Sequence, residues 1–533
     1  MKCKCVSKRY QETESAGAEQ IAAGRNGEER GNNSMKKSWK SLEAMALGMV
    51  WCMALLTGCG DDSAAVTLSG QTMGTAGTDP GDQGQGSLAQ RDQEQESRDQ
   101  NGQPRNGQGQ SGQAQDEQAQ NGGRIILTLG GVYVPWQLED AVELYNARNG
   151  NYYVEIVDYL PAEWSDGVYE AAYDRLRMDL AAGKTDILLF GDLVADEMGY
   201  AGALLDLNAL LTPEEKQQKY LGNILECGQT GDALYEISPA FTLAFIAGDG
   251  SRLGMGTGWT MEEMMESFER CGRDGSALGR GGVRTVERLV QYSIEDYVDW
   301  DAGTADFCKE EFYRILEFGR ATDSGEFVRT TRESVASGIH LADCCGIGQM
   351  ADVQYLHWLF GDNMAVKGWP CSQGTGVCVG FSTGLTLGIG AYSKCPEGAW
   401  DFVEFFIDGG WIEDTDKEHH HIFSNVFYGL PVNRQRLEEE LEQSMVQRYY
   451  EGKPVPLMQG EGEVPDFYAN SAEDVEELRK IIALADRRSL QDQSAIGQII
   501  AEEIGGYNAG ILTAEQTAEK IENRVQLYLD ERR

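Results

Sequence analysis

From Gly60 to Gly123 the chain contains no Phe, Trp or Tyr, and this tract decides where folding can happen. It is dominated by Gln and Gly, as in Gln103-Pro104-Arg105-Asn106-Gly107-Gln108-Gly109. Such a stretch buries too little apolar surface to offset the entropy lost on ordering. A flexible polar tether is expected; the interspersed Gly and charges disfavour a Gln-driven aggregate. Folding therefore belongs to the residues from Arg124 onward. Hydrophobic residues make up 41 % of the 533, enough for a sizeable core. At roughly 100–200 residues per domain the chain has room for two to four lobes.

Charge narrows the function classes. With 86 acidic and 45 basic residues the net charge is −41. Nucleic acid is disfavoured as a partner because its phosphates would be repelled, and so is a basic membrane-surface role. The charge is uneven. Residues 1–58 hold nine basic and six acidic side chains, which leaves −44 for the rest.

The amino-terminal region reads as an address. Met35-Lys36-Lys37-Ser38-Trp39-Lys40 is a basic patch, and Ala44 to Thr57 carries no charge. That run is shorter than the roughly 20 apolar residues needed to span a bilayer and fits a secretory h-region. It ends in Leu56-Thr57-Gly58-Cys59, which resembles a bacterial lipobox. The resemblance implies that Cys59 is lipidated on sulfur and becomes the amino terminus after cleavage. Residues 1–34 precede this signal and are read as an upstream extension.

Beyond Arg124 the periodicity changes. Ile125-Ile126-Leu127-Thr128-Leu129, Tyr152 to Tyr159 and Asp186-Ile187-Leu188-Leu189-Phe190 predict three strands. Leu138, Ala141, Val142 and Tyr145 predict a helix after the first, and Tyr169, Ala172, Tyr173, Leu176 and Leu180 one after the second. Alternation of this kind means a parallel sheet, whose ligands bind beyond the carboxyl ends of the strands. Val132–Trp136, Tyr159–Trp164 and Gly191–Asp192 then share one rim. A second α/β portion is expected around Leu341 to Ile407. Ser471 with Asp474, and Thr513 with Gln516, predict two capped amphipathic helices near the end.

Several stretches, in order, resemble extracellular solute-binding proteins of ABC importers, of the maltose- and oligosaccharide-binding type. They include Gly202-Ala203-Leu204-Leu205-Asp206-Leu207, Asp232-Ala233-Leu234-Tyr235-Glu236-Ile237 and Gly258-Trp259-Thr260-Met261-Glu262-Glu263. Ser393-Lys394-Cys395-Pro396-Glu397-Gly398-Ala399-Trp400-Asp401-Phe402, Gly429-Leu430-Pro431-Val432-Asn433 and the tail from Asn523 to Leu529 complete the set. The resemblance implies a two-lobed periplasmic-binding-protein-like α/β fold (type II), with hinge strands, an interlobe ligand cleft and a helical tail. By analogy the chain crosses between lobes near Pro239, Phe381 and Tyr428. Lobe 1 is then 124–240 plus 382–428, and lobe 2 is 241–381 plus 429–533.

A sugar site needs flat aromatics for C–H faces and amides or carboxylates for hydroxyls. Trp136, Tyr159, Trp164 and Asp192 are candidates at the first rim. Phe241 follows the first crossing, and Gln349 and Trp369 belong to the second lobe. Each has an ordinary packing or capping alternative.

The enzyme reading is weaker. Gly380-Phe381-Ser382-Thr383-Gly384 fits G-x-S-x-G, and His419, His420 and His421 could supply a base. A nucleophile elbow, however, needs strand, turn and helix, whereas Leu385 to Ile389 reads as a strand. Three adjacent His lack the i, i+4 spacing of a helical metal pair, so no metal or cofactor is expected. No C-x-x-C occurs. Cys371 and Cys378 flank a turn and are compatible with a bridge or with free thiols.

The sequence thus points to a lipid-anchored extracellular binding protein without covalent chemistry, monomeric, taking a carbohydrate and passing it to ABC permease subunits. The alternatives are a lipid-anchored serine hydrolase using Ser382 and a surface adhesin.

Overall fold

The computed structural model describes residues 123–160, 167–279, 285–300, 302–322, 329–381, 384–412, 426–488 and 494–531. Cys59, the tether, Trp164, Ser382 and His419–His421 lie outside the described residues. In chain order the first elements are β1 (Ile125–Gly131), α1 (Trp136–Arg148), β2 (Tyr152–Asp158), α2 (Val168–Ala181), β3 (Ile187–Leu189) and α3 (Ala195–Tyr200). They continue with α4 (Gly222–Cys227), β4 (Ala240–Asp249), α5 (Met261–Arg270), β5 (Leu278–Gly279), α6 (Thr285–Tyr292) and α7 (Glu310–Thr322). Next come β6 (Ala342–Ile347), α8 (Asp352–Phe360), β7 (Met364–Val366), β8 (Val377–Phe381), β9 (Leu387–Ile389) and α9 (Pro396–Asp408). The last are β10 (Leu430–Pro431), α10 (Arg434–Ser444), α11 (Ala472–Ala483), β11 (Ala485–Arg488), α12 (Ala495–Asn508) and α13 (Ala514–Glu531).

Each early element forms where its apolar spacing requires. Leu138, Ala141, Val142 and Tyr145 are the buried face of α1, and Ala172, Tyr173, Leu176 and Leu180 that of α2. Both helices are laid against a sheet of order β9-β3-β1-β2. β1 runs parallel to β2 and β3, and β9 joins antiparallel to β3. The second sheet has seven strands on the path β11-β8-β4-β6-β5, with β7 and β10 also pairing to β4. The fold is therefore mixed α/β with two lobes, each built on one sheet, and it ends in helices.

β4 joins the halves of the molecule. Phe241 on β4 is in register with Phe381 of β8 and with Leu430 of β10. Three strands that arrive from distant parts of the sequence thus meet at one residue. The main core passes beneath this junction, from Leu127 and Leu189 through Phe241 and Phe245 to Leu356 and Leu478. A second core packs α5, α6, α7, α12 and α13 against the other sheet, with Phe268, Phe312, Ile500 and Val525 at its centre.

Capping sets several helix starts. Thr260 and Glu263 form a reciprocal box at α5, as Ser471 and Asp474 do at α11. At α13, Thr513 and Gln516 exchange bonds of 3.0 and 3.2 Å. Losing such a cap costs about 1 kcal/mol. Cys371 and Cys378, which flank the turn before β8, are both buried free thiols.

Candidate functional site

The site begins where β1 and β3 end side by side. After β1 the chain crosses to its neighbour β2, and after β3 it leaves this sheet for β4; in parallel sheets ligands bind beyond the carboxyl ends of the strands. Directly after β1, Tyr133 adopts φ 64° and is 49 % exposed. Asp158 holds it there: its Oδ1 accepts from the backbone N–H of Tyr133 at 3.0 Å and of Leu160 at 2.9 Å. Trp136 opens α1 after Pro135 and is half-buried against the main core.

After β3, Gly191 has φ 57°, and a Cβ there would lie 2.5 Å from the Tyr173 hydroxyl. That close approach lets Tyr173 accept the backbone N–H of Asp192 at 2.9 Å, while the Asp192 side chain stays exposed. Burial pushes the Tyr173 hydroxyl up to about 12, so it remains a neutral partner.

The strand alternation of β4 supplies a floor. Phe241, Leu243 and Phe245 point into the main core, so Thr242 faces the other way and is half-buried. Its neighbours there are glycines. Gly380 lies opposite it in register, and a Cβ at Gly348 would be 3.2 Å from Thr242 Cγ2 and 3.7 Å from Tyr428 Cε1. The ring of Tyr428 thus borders Gly348. Gln137 Nε2 donates to Val426 O at 3.0 Å, which fastens the start of α1 to the segment carrying Tyr428.

Gln349 is half-buried beside this floor. Asp352 Oδ2 accepts the N–H of both Gly348 and Gln349 at 2.7 Å. Burial pushes the Asp352 carboxyl up to about 6, against the pull of those two bonds.

Two polar links join parts distant in sequence around the junction. Arg488 of β11 pairs with Glu236, which precedes β4, and its guanidinium carbon sits 5.8 Å over the half-buried Phe381 ring. Tyr528 of α13 donates to Glu197 of α3 at 3.3 Å. The C-terminal helix therefore touches the helix that follows the first rim.

The expected site residues divide. Trp136 and Asp192 stand at the rim, and Gln349 beside the floor. Three others are core. Phe241 is 1 % exposed because its position in the β4 alternation turns it inward; the outward residue is its neighbour Thr242. Trp369 is 2 % exposed and stacks on Tyr292 with ring centroids 4.1 Å apart. Tyr159 is buried, with its hydroxyl donated to Asp179 at 2.9 Å. Trp164 lies outside the described residues. Tyr133, Tyr428 and Thr242 were not among the candidates. The strand alternation was a signal available for Thr242; nothing in the sequence marks a left-handed tyrosine.

The elbow motif does not have its required context. Gly380 and Phe381 end β8, and the segment after Gly384 leads into β9 rather than a helix.

No protein-family model matches the chain, and no curated protein matches it. Solved structures do. One is a cyclic alpha-maltosyl-1,6-maltose binding protein from Arthrobacter globiformis, 14 % identical over 77 % of this chain and 100 % of that one, with a TM-score of 0.44. Another is an extracellular solute-binding protein of family 1 from Alicyclobacillus acidocaldarius, 14 % identical over 76 % and 98 %, TM-score 0.45. A third is a periplasmic oligogalacturonide binding protein from Yersinia enterocolitica, 14 % identical over 76 % and 100 %, TM-score 0.47. These likenesses assign no ligand.

Proposed function

We propose that the chain is an extracellular, lipid-anchored substrate-binding protein of an ABC importer, capturing a carbohydrate between its lobes and delivering it to membrane permease subunits. The observation that carries this reading is the meeting of β4, β8 and β10 at Phe241. Three strands paired at one point form a hinge on which two lobes can close, and closure is how ligand binding becomes a signal to a transporter. Lobe 1 is then 124–240 plus 382–428, and lobe 2 is 241–381 plus 429–533. The ligand lies between the Tyr133–Trp136 and Asp192 rim and the Thr242 floor, with Gln349 as a polar contact. Aromatic rings beside hydroxyl and amide groups suit a sugar. The protein is monomeric and non-catalytic, held on the outer face of the cytoplasmic membrane by lipid on Cys59, at the end of the Gln-rich tether.

The test is an intrinsic Trp fluorescence titration of the full chain against sugars, peptides and ions. A saturable response to one oligosaccharide is expected. Esterase turnover that Ser382→Ala abolishes would overturn the reading in favour of a hydrolase. For the anchor, a tagged palmitate should label the wild type in a bacterial host and not Cys59→Ser.

A further inference from the structure

Tyr528 divides its side chain between two cores. Along α13 the residues Ala518, Ile521, Val525 and Leu529 recur at helical spacing and are buried with Phe312 of α7 and Ile500 of α12. Tyr528 is half-buried against that core, yet its hydroxyl donates to the half-buried Glu197 of α3 at 3.3 Å. α3 belongs to a separate core on the first sheet, where Ala195 and Met198 pack with Leu176, Leu188 and Phe190. Neither partner lies on β4, β8 or β10. The bond is therefore a tie between the two halves in addition to the strand junction.

The element that receives this bond is fixed within its own half. The Thr230 hydroxyl donates to Asp196 Oδ1, beside Glu197. On the other side of Glu197, a Cβ at Gly199 would lie 2.3 Å from the Tyr235 ring, so helix and ring are in close contact. α3 also begins at Ala195, three residues after Asp192 at the rim. Force applied to Glu197 thus reaches the rim segment and is not absorbed by a loose side chain. Packing on the second core would be met by a Phe at position 528. The hydroxyl adds a bond to a charged acceptor, which is stronger than one between neutral groups.

We propose that Tyr528 and Glu197 form a latch between the lobes, which holds them at the separation seen here and must open before they rotate about the β4 junction. The proposal rests on the reading above that the two lobes move. Loss of one hydrogen bond to a charged group changes the balance between two arrangements by about tenfold.

The test reads the lobe separation without any ligand. A nitroxide-bearing non-natural residue replaces Met178 on α2 and Ile511 before α13, which are 62 % and 76 % exposed. Pulsed electron resonance then gives the distance distribution in the full chain. Wild type should show one main peak. Tyr528→Phe and Glu197→Leu should each raise the ratio of a displaced population to that peak by about tenfold, and the double variant should add nothing further. Glu197→Gln keeps an accepting oxygen and should keep the wild-type distribution. Tyr528→Phe keeps the ring and should melt within about 2 °C of wild type. An unchanged distribution in either Tyr528→Phe or Glu197→Leu overturns the latch and leaves the binding-protein reading standing. A larger fall in the melting temperature of Tyr528→Phe overturns it as well, because the hydroxyl then serves packing. A wild-type chain that responds to no saccharide of the fluorescence panel overturns the carbohydrate reading alone, since the latch is read with no ligand present.

Discussion

Arg488 forms an ion pair with Glu236, joining β11 of the second sheet to the segment that enters β4 from the first. Glu236 is 5 % exposed, and the Arg488 side chain has little more contact with solvent. Burial pushes the Glu236 carboxyl up while the guanidinium pulls it down. A charge in such a place is tolerable only while its partner remains.

Removing one partner should therefore cost far more than removing both. Arg488→Met leaves a buried carboxylate alone and should destabilise by about 3–5 kcal/mol in urea unfolding. The Glu236→Leu/Arg488→Met double variant should recover most of that loss. A single variant within about 1 kcal/mol of wild type would show that water reaches the pair.

Phe241 should behave as structure, not as a ligand contact. Truncation to Ala opens a cavity at the junction of β4, β8 and β10 and should cost about 3–5 kcal/mol. Thr242→Ala, one residue away on the opposite face, should leave stability within about 1 kcal/mol and weaken ligand binding. Equal stability losses at both positions would contradict the alternation that separates them.

Gly191 is fixed by what it touches. Its φ of 57° and the Tyr173 hydroxyl, 2.5 Å from where a Cβ would be, leave no room for a side chain. Gly191→Ala should destabilise by about 1–3 kcal/mol. Tyr173→Phe removes the clashing oxygen, so the double variant should lose less than the two single losses added together. Strict additivity would sink the steric account.

Two groups give stability a pH slope of the same sign in neighbouring windows. Asp352 has a folded value of about 6 against an ordinary 3.8. Its ionised form is the costly one, so stability falls as pH rises from about 4 to 6. His357 lies 2.7 Å from Glu477, and that bond raises its value above the ordinary 6.5. The stabilisation it brings is complete below 6.5 and is lost as pH rises through the folded value. Asp352→Asn should flatten the lower window alone, and His357→Gln the upper one. Chemical denaturation at several pH values, with both slopes surviving in both variants, would refute the assignment.

Much of the layout was legible because it is written in local periodicity. The buried faces of α1 and α2, the three strands of the first sheet and the caps of α11 and α13 follow from residue spacing, since a helix or strand exposes a fixed repeat. The site was not legible. Phe241 and Trp369 are as aromatic as Tyr133, and no local pattern tells a core ring from an exposed one.

That difference was decided in three dimensions. Phe241 turned inward when β4 met β8 and β10, and Trp369 found Tyr292 to stack on. Tyr133 was forced outward by a carboxylate contributed from the end of β2. The sequence by itself determined which segments fold and into what elements, because those choices depend on neighbours a few residues apart. Which aromatic side chains are buried and which stay exposed was settled by contacts between residues tens to hundreds of positions apart, and only the tertiary structure brings those together.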